Sequence, residues 1–355
     1  MTASAFLEAS EAMVAARMRR AMARLLGMLS PGALILLYHR VAELPSDPQL
    51  LSVSPAHFAE QLDIIRRDYH PVSLRDIVNG IEDGELRRRS VAVTFDDGYA
   101  DNLLNAAPIL KRCGVPATFF VTSGLLDAGR EFWWDELERI LLTSPTPPGS
   151  LRITIGGGTY EWQTGSGGEA RSDVEPSNWH VLMKIEPSPS QRAYKEVQAL
   201  LYKVDERTRE STMAELSAWA GTKRGVREEY RTLTPAELRQ LADDSLFEIG
   251  AHTDKHSRLS SLSVDEQRTD IFDSKRKLEA TLQRRVSSFS YPFGGRPDYT
   301  PETTRTVQET GFDCACSTTA NHVHKGADRY QLPRYIVRDW DGDEFARRFK
   351  EWWRG

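Results

Sequence analysis

Asp96 and Asp97 stand side by side at the end of an apolar, β-type run, Val91-Ala92-Val93-Thr94-Phe95, and Gly98 follows them. Two neighbouring carboxylates can divide chemistry between them, one holding a cation while the other handles a proton. An Asp-Gly turn, with either acid capping the next helix, accounts for the same residues without any chemistry. His252 and His256 follow a second such run, 247–250, and lie four apart. In a helix that spacing would put both imidazoles on one face, as a metal requires, although such pairs also occur as plain surface decoration. Two imidazoles and one carboxylate bind a divalent cation and leave positions open for water and substrate. Both sets emerge at the C-terminal ends of strand-like runs, where α/β sheets and barrels place their chemistry.

The elements that must position these groups alternate along the chain. Runs at 33–38, 91–95, 117–121, 247–250, 287–291, 312–317 and 332–337 read as strands, with a shorter one beginning at Pro71-Val72. Between them lie amphipathic patterns: one opened by Pro55 with Phe58, Leu62 and Ile65 on one face, then 74–81, 100–112, 235–242, 264–285, 300–309 and 343–353. Strands alternating with helices at this rhythm pair in parallel through crossovers, and seven or eight such units predict an α/β barrel rather than a doubly wound sheet. From about residue 130 the rhythm breaks. A helix over 132–142, a hairpin over 153–162 around Gly156-Gly157-Gly158, a Gly-, Ser- and acid-rich stretch at 165–177 and helices at 189–203 and 206–220 predict an insertion at about 130–230. Its Trp133, Trp134 and Trp162 are either core packing or stacking platforms for sugar rings.

Composition narrows the function classes. The 355 residues are 40% hydrophobic and 27% charged, with a formal net charge of −5. That balance gives no support for nucleic-acid binding, which usually needs a basic excess. Cys113, Cys314 and Cys316 are too few for a disulfide framework, and Cys314 and Cys316 share a strand face, which predicts a packed pair rather than a zinc knuckle. Residues 1–30 are Ala-, Met- and Arg-rich, with no apolar core of signal-peptide or membrane-spanning length. Arg19, Arg20 and Arg24 beside Leu25, Leu26, Met28 and Leu29 predict an amphipathic helix, packed on the domain or lying on a membrane surface. The expected organisation is therefore an N-terminal helical segment at 1–30 and a barrel at 31–355 interrupted at about 130–230. The expected location is cytoplasmic, with peripheral contact to the inner face of the membrane through that helix.

Thr94-Phe95-Asp96-Asp97-Gly98-Tyr99 and His252-Thr253-x-x-His256 resemble the first two motifs of the polysaccharide deacetylases of carbohydrate esterase family 4, and Ser290-Tyr291-Pro292-Phe293-Gly294 resembles a variant of the third. The resemblance covers about 33–340 outside the insertion. It implies a distorted (β/α) barrel of seven or eight strands and metal-dependent N-deacetylation of N-acetylhexosamine units, releasing acetate from a polysaccharide or a lipid-linked glycan precursor. By the same resemblance Asp97, His252 and His256 hold a divalent metal, Zn2+ first, with Co2+, Mn2+, Ni2+ or Fe2+ as alternatives. Asp96 is then the general base, and the Phe293 backbone N–H the oxyanion donor.

Two departures from the family pattern stand out. The arginine that often precedes the third motif's proline is absent, and Arg334 could supply that charge from another strand or form a plain structural salt bridge. The leucine-histidine motif that usually supplies the general acid is also missing. Tyr38-His39-Arg40 resembles the branch that deacetylates poly-N-acetylglucosamine, in which a histidine after the first strand is the acid. His39 is therefore the candidate over His322 and His324, against the alternative of a packed core histidine. Two other functions compete: hydrolysis of a different small C–N bond, whose relatives tend to lack the first aspartate, and a silent carbohydrate-binding barrel, which would not need Asp96, Asp97, His252 and His256 together.

Overall fold

The computed structural model describes residues 32–143, 148–164, 179–184, 187–222 and 225–354. The helix expected at 1–30 and the Gly-, Ser- and acid-rich stretch at 165–177 lie outside them. Seven parallel strands form a curled half-barrel: β1 Ala33–Tyr38, β2 Ser90–Phe95, β3 Ala117–Val121, β4 Phe247–Ala251, β5 Ser288–Ser290, β6 Cys314–Cys316 and β7 Tyr335–Ile336. Their spatial order is β6-β5-β4-β3-β2-β1-β7, and His70–Pro71 pairs alongside the start of β2. Leu332 bridges in parallel to Cys316, and three residues later Tyr335 pairs with Leu36 on β1. The 332–336 stretch thus joins the two edges of the sheet.

Alternation along the strands sorts the side chains into two layers. Leu34, Leu36, Tyr38, Val91, Val93, Phe95, Phe247, Ile249 and Ala251 belong to the main core, packed with residues of the surrounding helices. Ala33, Ile35, Ala92, Phe120, Cys314, Cys316 and Leu332 form a second cluster with the opposite strand parity. The three cysteines are free and buried, and burial pushes the Cys316 thiol up to about 12, as suits a packed thiol rather than a reactive one. Gly250 is required on β4, because a Cβ there would fall 2.3 Å from Phe120 Cδ1 on the neighbouring strand.

The segment between β3 and β4 carries its own core. The helix Trp133–Leu141, the hairpin Ser150–Ile155 and Gly158–Gln163, and the helices Pro189–Leu201 and Glu206–Trp219 contribute Leu137, Ile140, Ile153, Ile155, Val197, Met213 and Leu216. Tyr99 and Leu125 join this cluster from outside the segment. Its entry and exit are tied by Arg227, whose Nη2 lies 2.9 Å from Glu131 Oε2 and whose Nη1 lies 2.7 Å from Glu138 Oε2, both acids being buried.

Candidate active site

Strand parity explains how the site is assembled. On β2, Thr94 is absent from the helix-facing set, and the next residue of that parity beyond the strand end is Asp96. On β4 the parity of Gly250 continues to His252, on β5 it brings Ser290, and in the closing stretch the parity of Leu332 continues to Arg334. Four chain segments thereby converge at one rim.

Arg334 has no solvent exposure and grips Asp96 with both arms: Nη1 to Oδ1 at 2.7 Å and Nη2 to Oδ2 at 2.7 Å. Nη2 also donates to Ser290 Oγ at 2.7 Å, that hydroxyl donates to Asp96 Oδ2 at 3.1 Å, and Nε donates to the Ser317 carbonyl at 2.9 Å. Burial opposes ionisation of Asp96. The Arg334 guanidinium, with smaller help from His252 and His39, more than offsets it and holds the carboxyl far below the usual range.

Asp97 turns away from that clamp. It has φ +78° and is followed by Gly98 at φ +83°, so the Asp-Gly turn is real as backbone geometry. Neither carboxylate caps a helix: the turn after it starts at Asp101, which makes no side-chain cap bond. Asp97 Oδ1 instead faces His256 Nε2 at 3.3 Å and His252 Nε2 at 3.5 Å, and ligand atoms of the three residues all lie within 4.8 Å of one another.

The helical placement considered for His252 and His256 does not occur. Residues 252–256 form a loop in which Thr253 (φ +59°) and His256 (φ +52°) take left-handed conformations, and the Thr253 hydroxyl accepts the His256 N–H at 2.9 Å. Local strain, not helical periodicity, brings the rings together.

These residues fit a divalent cation. His252 Nδ1 lies 2.8 Å from the Ser290 carbonyl, which can only accept, so Nδ1 carries the proton and Nε2 presents its lone pair. Burial lowers the His252 pKa, and burial with the nearby Arg209 charge takes His256 down to about 3; both shifts favour the neutral ring that a ligand must present. Burial pushes Asp97 up, against the pull of His39 and His252, which marks a carboxylate whose charge is under-compensated in the protein alone.

A cleft of about 130 Å³ opens over the triad, lined among others by His39, Gln49, Trp133, Trp134, Gln198 and Phe293. His39 follows β1 directly and stands at its wall. Burial lowers its pKa, with Asp97 and Asp96 working the other way. His322 and His324 flank Val323, which pairs with Ala33 at the first residue of β1, so they lie at the opposite end of the barrel. Phe293 also has a left-handed backbone (φ +61°); its carbonyl accepts from Thr318 Oγ1 at 2.7 Å, and its N–H meets no acceptor among the described residues. Trp133 and Trp134 both pack in the core of the inserted segment and wall the cleft, Trp134 standing edge-on to His256 at 5.0 Å between ring centres. Trp162 packs, its indole N–H donating to Glu196 at 2.7 Å. Ser290, Gln49 and Gln198 were not anticipated as site residues; strand parity could have found Ser290, while nothing local marks the two glutamines.

The polysaccharide deacetylase family matches residues 83–143 and 193–315, just over half of the chain. The Bacillus subtilis (strain 168) protein YxkH, named for the same family, is 26% identical over 105 residues, 30% of this chain and 36% of that protein, so the chain spans little over a third of that curated relative. Among solved structures, the Streptococcus pyogenes deacetylase PplD, in complex with acetate, superposes with a TM-score of 0.56 at 17% identity, over 90% of this chain and 98% of that one. IcaB from Ammonifex degensii gives 0.55 at 17% identity, over 92% and 98%. The BpsB deacetylase domain of Bordetella bronchiseptica gives 0.50 at 16% identity, over 87% and 97%. At such identities the superpositions establish the shared barrel, and the sequence match establishes the lineage: the chain belongs to the polysaccharide deacetylase family, carbohydrate esterase family 4.

Proposed function

We propose that this protein is a metal-dependent hydrolase that removes the acetyl group from N-acetylhexosamine units of a glycan, either a polysaccharide or a lipid-linked precursor. The observation that carries the reading is the division of the two acids: Asp97 joins His252 and His256 in a ligand set, while Asp96, one residue earlier, is held ionised by Arg334. Family membership supports deacetylation, and PplD, crystallised with acetate, and IcaB share the barrel.

Asp97 Oδ1, His252 Nε2 and His256 Nε2 would hold the cation, Zn2+ being the natural fit for one carboxylate and two imidazoles. Bound there, it would acidify water and polarise the amide carbonyl. Asp96 accepts the proton of the attacking water, and its clamp by Arg334 and Ser290 fixes which lone pair faces the cleft. As the carbonyl carbon becomes tetrahedral, the unengaged Phe293 N–H donates to the developing oxyanion. His39, from the wall of the cleft, delivers a proton to the leaving amine; its lowered pKa makes the protonated ring a stronger donor than free imidazole. Trp133 and Trp134 provide an apolar wall for a sugar face.

The test is acetate release from a panel of N-acetylated oligosaccharides and lipid-linked sugars, with bound-metal analysis of the same sample and Asp96→Asn as control. Release should depend on metal and fall sharply in the control. Release that survives verified metal removal would sink the metal-dependent reading, and saccharide binding by metal-loaded protein without acetate would point to a binding barrel.

A further inference from the structure

The turn that carries the Phe293 N–H has no regular secondary structure to hold it. Residues 292–298 follow a three-residue strand, and Phe293 and Gly294 both have positive φ, at +61° and +65°. A backbone donor aimed by such a turn is useful only if the turn is fixed from outside.

One buried carboxylate makes those connections. Asp298 is 4% exposed. Its Oδ2 accepts the Gly295 N–H at 2.8 Å, closing the turn on itself. Its Oδ1 accepts Arg258 Nε at 3.2 Å, from the loop that leaves His256, and the hydroxyl of Tyr202, from the end of the inserted helix Pro189–Leu201. The flanking backbone repeats the tie: the Asp298 carbonyl accepts the Ser260 N–H at 2.9 Å, and the Pro297 carbonyl accepts Arg258 Nη2 at 2.9 Å and Ser260 Oγ at 2.6 Å. Tyr202, held by Asp298, stands edge-on to the Phe293 ring at 4.9 Å, and that ring stands edge-on to His256 at 4.9 Å. Arg258 covers the other partner, its guanidinium carbon lying 5.0 Å from the Tyr202 ring centre.

We propose that Asp298 is a positioning residue for the reaction: through Gly295, Arg258 and Tyr202 it locks the Phe293 turn to the His256 loop and to the inserted segment, so that the Phe293 N–H is aimed before substrate arrives. The role rests on the reading of Phe293 as the oxyanion donor. It also gives the inserted segment a part in the chemistry beyond walling the cleft, since Tyr202 is its contribution to the lock. Asparagine keeps the shape of Asp298 but replaces one acceptor oxygen with an NH2 that meets a donor in either orientation, Gly295 N–H in one and Arg258 with Tyr202 in the other.

The experiment compares wild type, Asp298→Asn and the milder Tyr202→Phe, all metal-loaded and folded by circular dichroism. Hydrogen–deuterium exchange is read over 290–300, and kcat and KM are measured for acetate release. Expected for Asp298→Asn are faster exchange confined to that segment, unchanged metal content, kcat lower by about 10- to 100-fold, short of the roughly 100- to 1,000-fold for losing an oxyanion donor outright, and KM within about two-fold of wild type, since a donor to the oxyanion acts mainly in the transition state. Tyr202→Phe should move both readouts the same way by less. Unchanged exchange in both variants, or activity lost only in proportion to lost metal or lost folded protein, overturns the proposal. Faster exchange with unchanged kcat overturns the aimed-donor role of Phe293 while leaving the lock itself standing, which separates the two claims.

Discussion

Removing the guanidinium from Arg334 should change the pH dependence of the enzyme more than its affinity for substrate. Arg334 is wholly buried and makes two 2.7 Å bonds to Asp96 and a third to Ser290. Deleting one partner of such a pair leaves an uncompensated buried charge, a cost of about 3–5 kcal/mol. At 1.36 kcal/mol per pKa unit, an equivalent rise in the pKa of Asp96 is about 2–4 units. In the wild type the Asp96 pKa lies below its unfolded value, so its ionisation stabilises the fold above about pH 4; that contribution is lost as pH falls through the depressed folded value. In Arg334→Met the carboxyl, raised by burial alone, stays protonated to higher pH and cannot accept a proton there. The acid limb of kcat/KM, measured by acetate release with saturating metal, should move upward by about 2 units or more. The stability deficit of the variant, followed by thermal unfolding, should be largest near neutral pH and shrink on acidification, because a protonated Asp96 needs no cationic partner. An acid limb that stays in place, in a folded and metal-loaded variant, would refute the assignment of Asp96 as the base governed by Arg334.

Three further outcomes follow from the site. His39→Ala should keep its metal and lose about 100-fold or more in kcat, read by acetate release with metal content measured on the same sample, the scale of one general acid. Asp97→Ala and His256→Ala should each bind less metal per chain at equilibrium dialysis than the wild type, with acetate release falling in step; full metal retention in both would remove the triad as the ligand set. Asp135, buried on the helix Trp133–Leu141 and accepting the Tyr99 hydroxyl at 2.7 Å, is pushed up to about 8 by burial against the pull of Arg40. Because its folded pKa lies above its unfolded value, the folded state holds an extra proton between roughly pH 4 and 8. Its contribution is intact at the acid end and declines as pH rises through that window. Asp135→Asn should therefore gain in melting temperature relative to wild type as pH is raised from 5 to 8, and parallel curves would contradict the shift.

Much of the barrel could be read from the chain, because its strands are short apolar runs between well-spaced helical patterns. Their alternation goes further: Asp96 and His252 continue the non-helix-facing parity of a strand past its end, Ser290 ends β5 in that parity, and Arg334 continues it from Leu332. What one dimension could not show is which of these ends meet, since Arg334 and Asp96 are 238 residues apart and are joined only when the 332–336 stretch closes the sheet. The helix expected over 100–112 divides into a wide π-turn, Asn102–Ala106, and a helix, Ala107–Cys113, with Pro108 next to the junction. Proline has no N–H to continue the i to i−4 ladder, which accounts for a break that side-chain periodicity does not register. The loop at 252–256 escaped for a similar reason: a β-branched residue such as Thr253 seldom takes positive φ, and with His256 it does so here, which side-chain spacing does not register.

The closing position of Arg334 also orders events during synthesis. Asp96 leaves the ribosome 238 residues before its counter-charge does, an interval of roughly 12–48 s at 5–20 residues per second. Throughout that time the first strands have no guanidinium against which to bury an ionised Asp96. The nascent rim must stay hydrated, or keep that acid protonated, until the last strand docks. The proposed base accordingly gains its counter-charge only when the 332–336 stretch docks, and chains stalled before Arg334 would carry the proposed metal ligands beside an unclamped Asp96.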